Sequence, residues 1–393
     1  MNIQARATLE MPPVLRPVRS VPPALEMAVP SQVIAPGPGT AIGRWLRLGP
    51  WYAMFPVEFA FEMIQTYSSP GDRLLDPFMG RGTSLISAIA LGRHATGIEI
   101  DPVAWVYSSA KTNPATLDHV LARLEQISLL KSNLKSQEPL PEFFTWAFHP
   151  DVLRFLLLAR EHLNWENSKV DRTLMAILLV DLHGKEETSF SNQMRQTKAM
   201  APEYSIRWWQ ERDRMPAAKD PVALLRRKVE WRYAKGMPEY GGQAKALNGD
   251  STQFMRYAGR AGLHQLLLTS PPYFDVVNYN YDQWLRRWML GASPHPTYSS
   301  GKWRSKFSNR EAYRKLLEDV FVRAARVMSP DAQIVVRTDA RTITFEATQS
   351  ALERAFPNKT LSVVDRPFEN KTQTVLYGDD GAKPGERDLI LTP

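Results

Sequence analysis

Two stretches of this chain hold residue types whose spacing can do chemistry. In Thr269-Ser270-Pro271-Pro272-Tyr273 the two prolines stiffen the backbone and remove amide donors, which leaves carbonyl oxygens free to accept hydrogen bonds. Tyr273 adds a flat face for stacking, and Ser270 adds a hydroxyl. Alone, the segment reads equally as a rigid proline turn capped by Ser270. In Asp76-Pro77-Phe78-Met79-Gly80-Arg81-Gly82-Thr83 the glycines permit positive φ and close backbone approach to a ligand, as in nucleotide-binding turns. A tight turn without a ligand has the same spelling. Glu99 lies 17 residues after Gly82 at the end of an apolar run, where an acid commonly accepts hydrogen bonds from ribose hydroxyls. A nicotinamide cofactor fits poorly, because Arg81-Gly82-Thr83-Ser84-Leu85 provides no third glycine.

The elements that must hold these groups follow from the hydrophobic pattern. A helix opens near Pro56 and closes before Ser68-Ser69-Pro70-Gly71; Arg73-Leu74-Leu75 is a strand, Ser84 to Leu91 a helix, and Ala95 to Ile100 a second strand followed by a helix from Asp101-Pro102. That order is a βαβ unit with a glycine-rich first turn. Helical segments then interrupt the alternation: Leu117 to Leu130, Pro150 to Leu163 and Arg172 to Leu182. Strand patterns return at Ala244 to Leu247, Leu266 to Thr269, Ala332 to Val336, Leu361 to Val364, Thr374 to Tyr377 and Leu389 to Leu391. A mostly parallel α/β sheet carrying one large helical insertion accounts for this order better than two tandem domains. Residues 1–38 contain eight prolines and read as a flexible tail.

Composition narrows the chemistry further. The 393 residues include no cysteine, which excludes disulfides, cysteine metal sites and thiolate nucleophiles. His94, His183 and His264 are too scattered for metal ligation, so no metal is expected, and His183 reads as a loop or packing residue. No apolar run approaches a membrane span and the first residues lack the core of a signal peptide, so a soluble, cytoplasmic chain is expected. The net charge of +8 is unevenly spread. Between Arg286 and Lys315, eight Lys or Arg face Glu311 alone, interleaved with Trp284, Trp288, Trp303 and Phe307, a pattern suited to phosphate contact and stacking or, alternatively, to core aromatics beneath a solvated face.

The two motifs, in this order, resemble those of the DNA amino-methyltransferases, whose hallmarks are an F-x-G-x-G turn for S-adenosylmethionine and a catalytic [S/D/N]-P-P-[Y/F/W] segment. Trp51-Tyr52-Ala53-Met54-Phe55-Pro56 is similar to the family's first cofactor motif, and Asn248-Gly249-Asp250 to the loop whose acid contacts adenine. Tyr279 to Gly291 also resembles the segment that follows the catalytic motif in bacterial members. The likeness covers residues 50–110 and 244–392. It implies a Rossmann-like class I methyltransferase fold with a seven-stranded, mostly parallel sheet. The catalytic domain would span 39–113 and 243–393, with 114–242 an insertion that fits none of the usual motif spacings and is a candidate target-recognition region.

The resemblance assigns catalysis to Ser270, Pro271, Pro272 and Tyr273, and S-adenosylmethionine binding to Phe55, Pro56, Asp76, Pro77, Phe78, Gly80, Gly82, Thr83, Glu99 and Asp250. Double-stranded DNA is the implied partner, contacted by Arg195 and Lys198 of the insertion and by Arg286, Arg287, Lys302, Arg304 and Lys306; a cognate restriction endonuclease is left open. The expected reaction is methylation of an exocyclic amino nitrogen on a flipped base. Cytosine N4 is favoured over adenine N6, because serine at the first motif position is commoner among cytosine enzymes. Methylation of RNA guanine or protein glutamine, and a binding module without catalysis, are the alternatives.

Overall fold

A computed structural model describes residues 35–51, 56–130, 139–196, 199, 201–274, 279–296, 309–366 and 385–393. Seven strands form one sheet: β1 Arg73–Asp76, β2 His94–Glu99, β3 Ala244–Asn248, β4 His264–Thr269, β5 Met328–Asp339, β6 Thr360–Arg366 and β7 Glu386–Thr392. Their spatial order is β3-β2-β1-β4-β5-β7-β6. The first five pair in parallel, while β7 runs antiparallel between β5 and β6. This is the Rossmann-like, mostly parallel sheet that the sequence predicts. The prolines of residues 1–34 and the strand expected at Thr374 to Tyr377 lie outside the described residues.

The central strands are apolar throughout because both faces are covered, the usual signature of parallel sheets. Period-two alternation divides their side chains. Leu74, Leu266, Leu268 and Val335 face one core, and Leu75, Ile98, Leu267, Ile334 and Val336 the other. Each fully buried leucine contributes about 1.5–3 kcal/mol.

On the first face lie α1 Ala41–Leu46, α2 Val57–Tyr67, α3 Thr83–Ala90 and α4 Pro102–Thr112. Asp101 starts α4: its Oδ1 accepts from the amides of Val103 and Ala104 at 2.8 and 3.3 Å, with Pro102 in the first turn. Between β2 and β3 come α5 Leu117–Ser128, α6 Glu142–Ala147, α7 Pro150–His162, α8 Lys169–Val180, α9 Pro202–Gln210 and α10 Pro221–Tyr233. They share the first apolar core, with α8 packed on α4. A single isolated bridge, Gly184 to Gln193, interrupts the helices among the described residues.

α11 Ser251–Ala258 follows β3; α12 Tyr279–Asp282 and α13 Trp284–Met289 follow β4; α14 Arg310–Ala325 and α15 Thr342–Ala355 flank β5 and build the second core with α11. No described helix is long and apolar enough to cross a membrane. Strand order reverses between β1 and β4, so the crevice beyond their carboxyl ends is the place where such sheets take ligands. β1 ends on Asp76 and β4 on Thr269, which brings the glycine turn and the proline segment side by side.

Candidate active site

Asp76 joins the two motifs. Its Oδ1 accepts from Thr269 Oγ1 at 2.6 Å and from the amide of Phe78 at 3.0 Å, while Oδ2 accepts from Ser84 Oγ on α3. The carboxyl is 1% exposed, and burial pushes its pKa up to about 6 against the pull of those three donors. Asp76 therefore fixes the ends of β1, β4 and α3 instead of facing a ligand, a correction to its expected role as a direct cofactor contact. Thr83, 4% exposed, is likewise turned into the protein.

The turn itself needs its glycines. Gly80 and Gly82 have φ of +50° and +77°, and a Cβ on Gly82 would lie 2.2 Å from Ser108 Oγ of α4. At Gly80 the nearest atom to an added Cβ is Trp51 Nε1 at 3.7 Å, so this side stays open to close approach. Glu99, at the end of β2, accepts from the amides of Gly80 at 2.9 Å and Asp101 at 2.8 Å. Burial pushes its carboxyl up to about 8; the two amides pull it down, and the charges of Asp101 and Asp76 push it further up. Ile100, 39% exposed, leaves apolar surface beside it, which sequence reasoning passed over.

Asp250 caps α11, its Oδ1 accepting from Thr252 N and Oγ1 at 2.9 and 2.8 Å. Gly249 N donates to the carbonyl of Glu99 at 2.8 Å, and Ser251 Oγ donates to that of Pro77. The β3 loop is thereby fastened to the glycine turn. Open backbone at Gly80, the carboxyl groups of Glu99 and Asp250 and the apolar Ile100 form a hydrogen-bonding and apolar surface that suits a nucleoside with vicinal hydroxyls. Pro56 precedes α2, and Phe55 lies outside the described residues.

The proline segment is held from three directions. Tyr313 of α14 donates its hydroxyl to the carbonyl of Pro272 at 2.8 Å, and the amide of Phe274 donates to Thr344 Oγ1 of α15 at 3.3 Å. Tyr273 donates to Glu386 Oε1 at 3.2 Å and sits 3.4 Å from Ser270 Oγ. Glu386 in turn pairs with Arg337 at 3.4 Å, and Asp388 grips Arg337 through two bonds of 2.7 and 2.9 Å. Burial and the Glu386 charge keep the Tyr273 phenol well above its usual range, hence protonated and donating. The bond from Tyr313 engages the Pro272 carbonyl, one of the acceptors expected in this segment. Tyr313, Thr344, Arg337 and Glu386 were invisible in the sequence, since each reaches the motif across at least 40 residues with no local signature.

The basic segment divides in the structure. Arg286 is 0% exposed, donating to the carbonyls of Leu179 at 2.8 Å and Gln196 at 2.6 Å and to Gln283 Oε1 at 2.8 Å. It stitches α13 to the segment between β2 and β3 and presents nothing to a phosphate, contrary to expectation. Trp284 and Trp288 are core as well, their rings 4.9 Å from Phe143 and 4.6 Å from Phe144. Arg287 pairs with Asp101 at 2.9 Å, with its side chain 28% exposed. Arg195 is exposed on the loop after α8, and its carbonyl meets the buried His183 ring at 2.6 Å. Lys198, Lys302, Trp303, Arg304, Lys306 and Phe307 lie outside the described residues.

A family model described as DNA methylase matches residues 40–107, which contain the glycine turn and Glu99. The type II methyltransferase M.MthZI of Methanothermobacter thermautotrophicus is 47% identical over 49 residues, 12% of this chain and 14% of that protein. M.BsoBI of Geobacillus stearothermophilus, also a type II methyltransferase, is 28% identical over 163 residues, 39% of this chain and 30% of its own. Type II methyltransferase M.MvaI of Kocuria varians is 32% identical over 114 residues, 26% of this chain and 25% of its own. The chain thus spans less than a third of the length of these curated relatives. The solved rRNA methyltransferase aviRa from Streptomyces viridochromogenes aligns over 90% of this chain and 91% of its own at 14% identity and a TM-score of 0.33, a likeness too slight to add to the strand order.

Proposed function

From the match to the DNA methylase family model and the likeness to type II methyltransferases, we propose that this chain methylates an exocyclic amino nitrogen of a base in double-stranded DNA, cytosine N4 ahead of adenine N6. One observation carries the reading: the glycine turn and Ser270-Pro271-Pro272-Tyr273 lie at the adjacent carboxyl ends of β1 and β4, joined by the Thr269–Asp76 bond of 2.6 Å. The cofactor is S-adenosylmethionine, which supplies an activated sulfonium methyl when bound.

The chain's own residues then do the positioning. Gly80 lets the backbone come close, and Glu99 and Asp250 take the nucleoside hydroxyls and base edge. An exocyclic amino nitrogen is a weak nucleophile because its lone pair is delocalised into the ring. The carbonyls of Ser270 and Pro271 accept its N–H bonds, which favours a tetrahedral nitrogen with the lone pair aimed along the transfer line. Tyr273, its hydroxyl anchored on Glu386, offers its ring to a base drawn out of the stack, a displacement that costs a few kcal/mol. Arg195 and the basic residues after α13 supply phosphate contacts that offset this cost. Methylation at ring carbon 5 of cytosine needs a thiolate, and the sequence has none. Ser270 at the first motif position supports cytosine, and the match to the family model described as DNA methylase supports DNA over RNA.

Purified chain incubated with methyl-labelled S-adenosylmethionine should label duplex DNA and leave transfer RNA unlabelled. Tyr273→Ala should abolish labelling while S-adenosylhomocysteine still binds. Labelling of transfer RNA alone would overturn the DNA assignment, and undiminished labelling by Tyr273→Ala would overturn the site.

A further inference from the structure

Lys111, near the end of α4, is 0% exposed, and its Nζ has no hydrogen-bond partner among the described residues. Two more buried cations share its surroundings. Arg81, between the two glycines of the turn, is 7% exposed; its Nη1 donates to the Gly49 carbonyl at 2.8 Å, and its Nε is unpartnered. Arg232 of α10 is 6% exposed, with Nη1 donating to the Arg44 carbonyl and Nε unpartnered. Trp45 Nε1 is a further unpartnered donor, its ring 5.9 Å from the Arg232 guanidinium. The backbone explains their assembly: Gly82 backs onto Ser108 and Gly49 onto the Tyr107 ring, both on α4 one turn before Lys111.

Acids do not balance the cluster. Beyond burial, the charges acting on Lys111 are those of Arg81 and Arg232, and both lower its pKa. Arg47 acts on Arg81, and Arg44 on Arg232. Asp181 reaches Arg232 but already pairs with Lys228 at 3.2 Å. Cations enclosed beside cations are opposed by desolvation and repulsion together. Guanidinium and indole N–H groups and a charged ammonium only donate, so a ligand that satisfies them must accept.

We propose that Lys111, Arg81 and Arg232, with Trp45 Nε1, form a buried receptor for one small anion of the carboxylate or inorganic oxyanion class, seated behind the glycine turn. Enclosure excludes a nucleic-acid backbone. Two sources share this chemistry: a free anion, or the carboxylate of the cofactor's own amino-acid end. Only the second rests on the methyltransferase reading.

The test compares the full chain with Lys111→Met, which keeps the apolar stem and removes the charge, and with Arg232→Met as a second variant should the first fail to fold. Inorganic phosphate, titrated at fixed ionic strength, should raise the Tm of the wild type saturably and leave both variants unmoved if the source is a free anion. If the source is the cofactor, Lys111→Met should weaken S-adenosylhomocysteine by roughly tenfold or more and leave decarboxylated S-adenosylmethionine, which lacks the carboxylate, unchanged. Equal responses of wild type and variants to all three probes would mean that Lys111 is a neutral packing residue, and the proposal fails. A wild type that binds neither sulfur ligand defeats the methyltransferase reading, while the phosphate titration still decides the anion site.

Discussion

Glu99→Gln tests the chemistry of the cofactor turn through pH. The Glu99 carboxyl, with its pKa near 8 in the folded chain, stands against an ordinary value of 4.5. Between those values the folded chain holds a proton that the unfolded chain releases, so the unfolded state binds fewer protons and stability must fall as pH rises through the window. At face value the shift corresponds to about 5 kcal/mol. Relaxation of the turn and water entry reduce the expected loss to about 1–3 kcal/mol from pH 5 to pH 9. Glutamine cannot titrate, and it also sets an amide nitrogen against the backbone N–H of Gly80 or Asp101, costing about 1 kcal/mol at low pH. Denaturant unfolding of the ligand-free chain at pH 5, 7 and 9 should therefore show the variant weaker than wild type at pH 5, with the gap narrowing or reversing by pH 9. Parallel pH dependences for the two proteins would refute the account of Glu99 as a carboxyl kept protonated by burial.

Two further expectations concern positioning. Tyr273→Phe and Glu386→Ala should each lower kcat by about tenfold, the worth of one hydrogen bond to a carboxylate, and the double variant should lose little more, because both remove the same 3.2 Å bond. Additive losses would show that Glu386 does not act through Tyr273. Arg286→Ala should cost about 3 kcal/mol of stability by leaving buried acceptors unpaired, whereas the exposed Arg195→Ala should cost less stability and reduce the salt dependence of DNA binding by about one ion; thermal unfolding and a salt titration separate the two.

The strands and both motifs were legible because their signals are local: an apolar run, then glycine, proline or an acid where the chain must turn. Asp76 illustrates the limit. Its position at the strand end could be read, but its turning inward to Thr269 and Ser84 depends on which strand becomes its neighbour. Arg286 and the tryptophans beside it show a second limit. Counting charges over residues 286–315 says nothing about direction, and the carbonyls of Leu179 and Gln196 that draw Arg286 inward belong to the insertion. The clamps on the proline segment were hidden for the same reason: Tyr313 and Glu386 are ordinary surface-type residues until α14 and β7 carry them across the sheet.

The central claim is methyl transfer to an exocyclic amino group, and nucleoside mass spectrometry of duplex DNA treated with the chain and S-adenosylmethionine tests it most directly. The account predicts N4-methylcytosine, absent when Tyr273→Ala replaces the wild type. N6-methyladenine as the sole product would contradict the cytosine assignment, and 5-methylcytosine or unmodified DNA would contradict the claim itself.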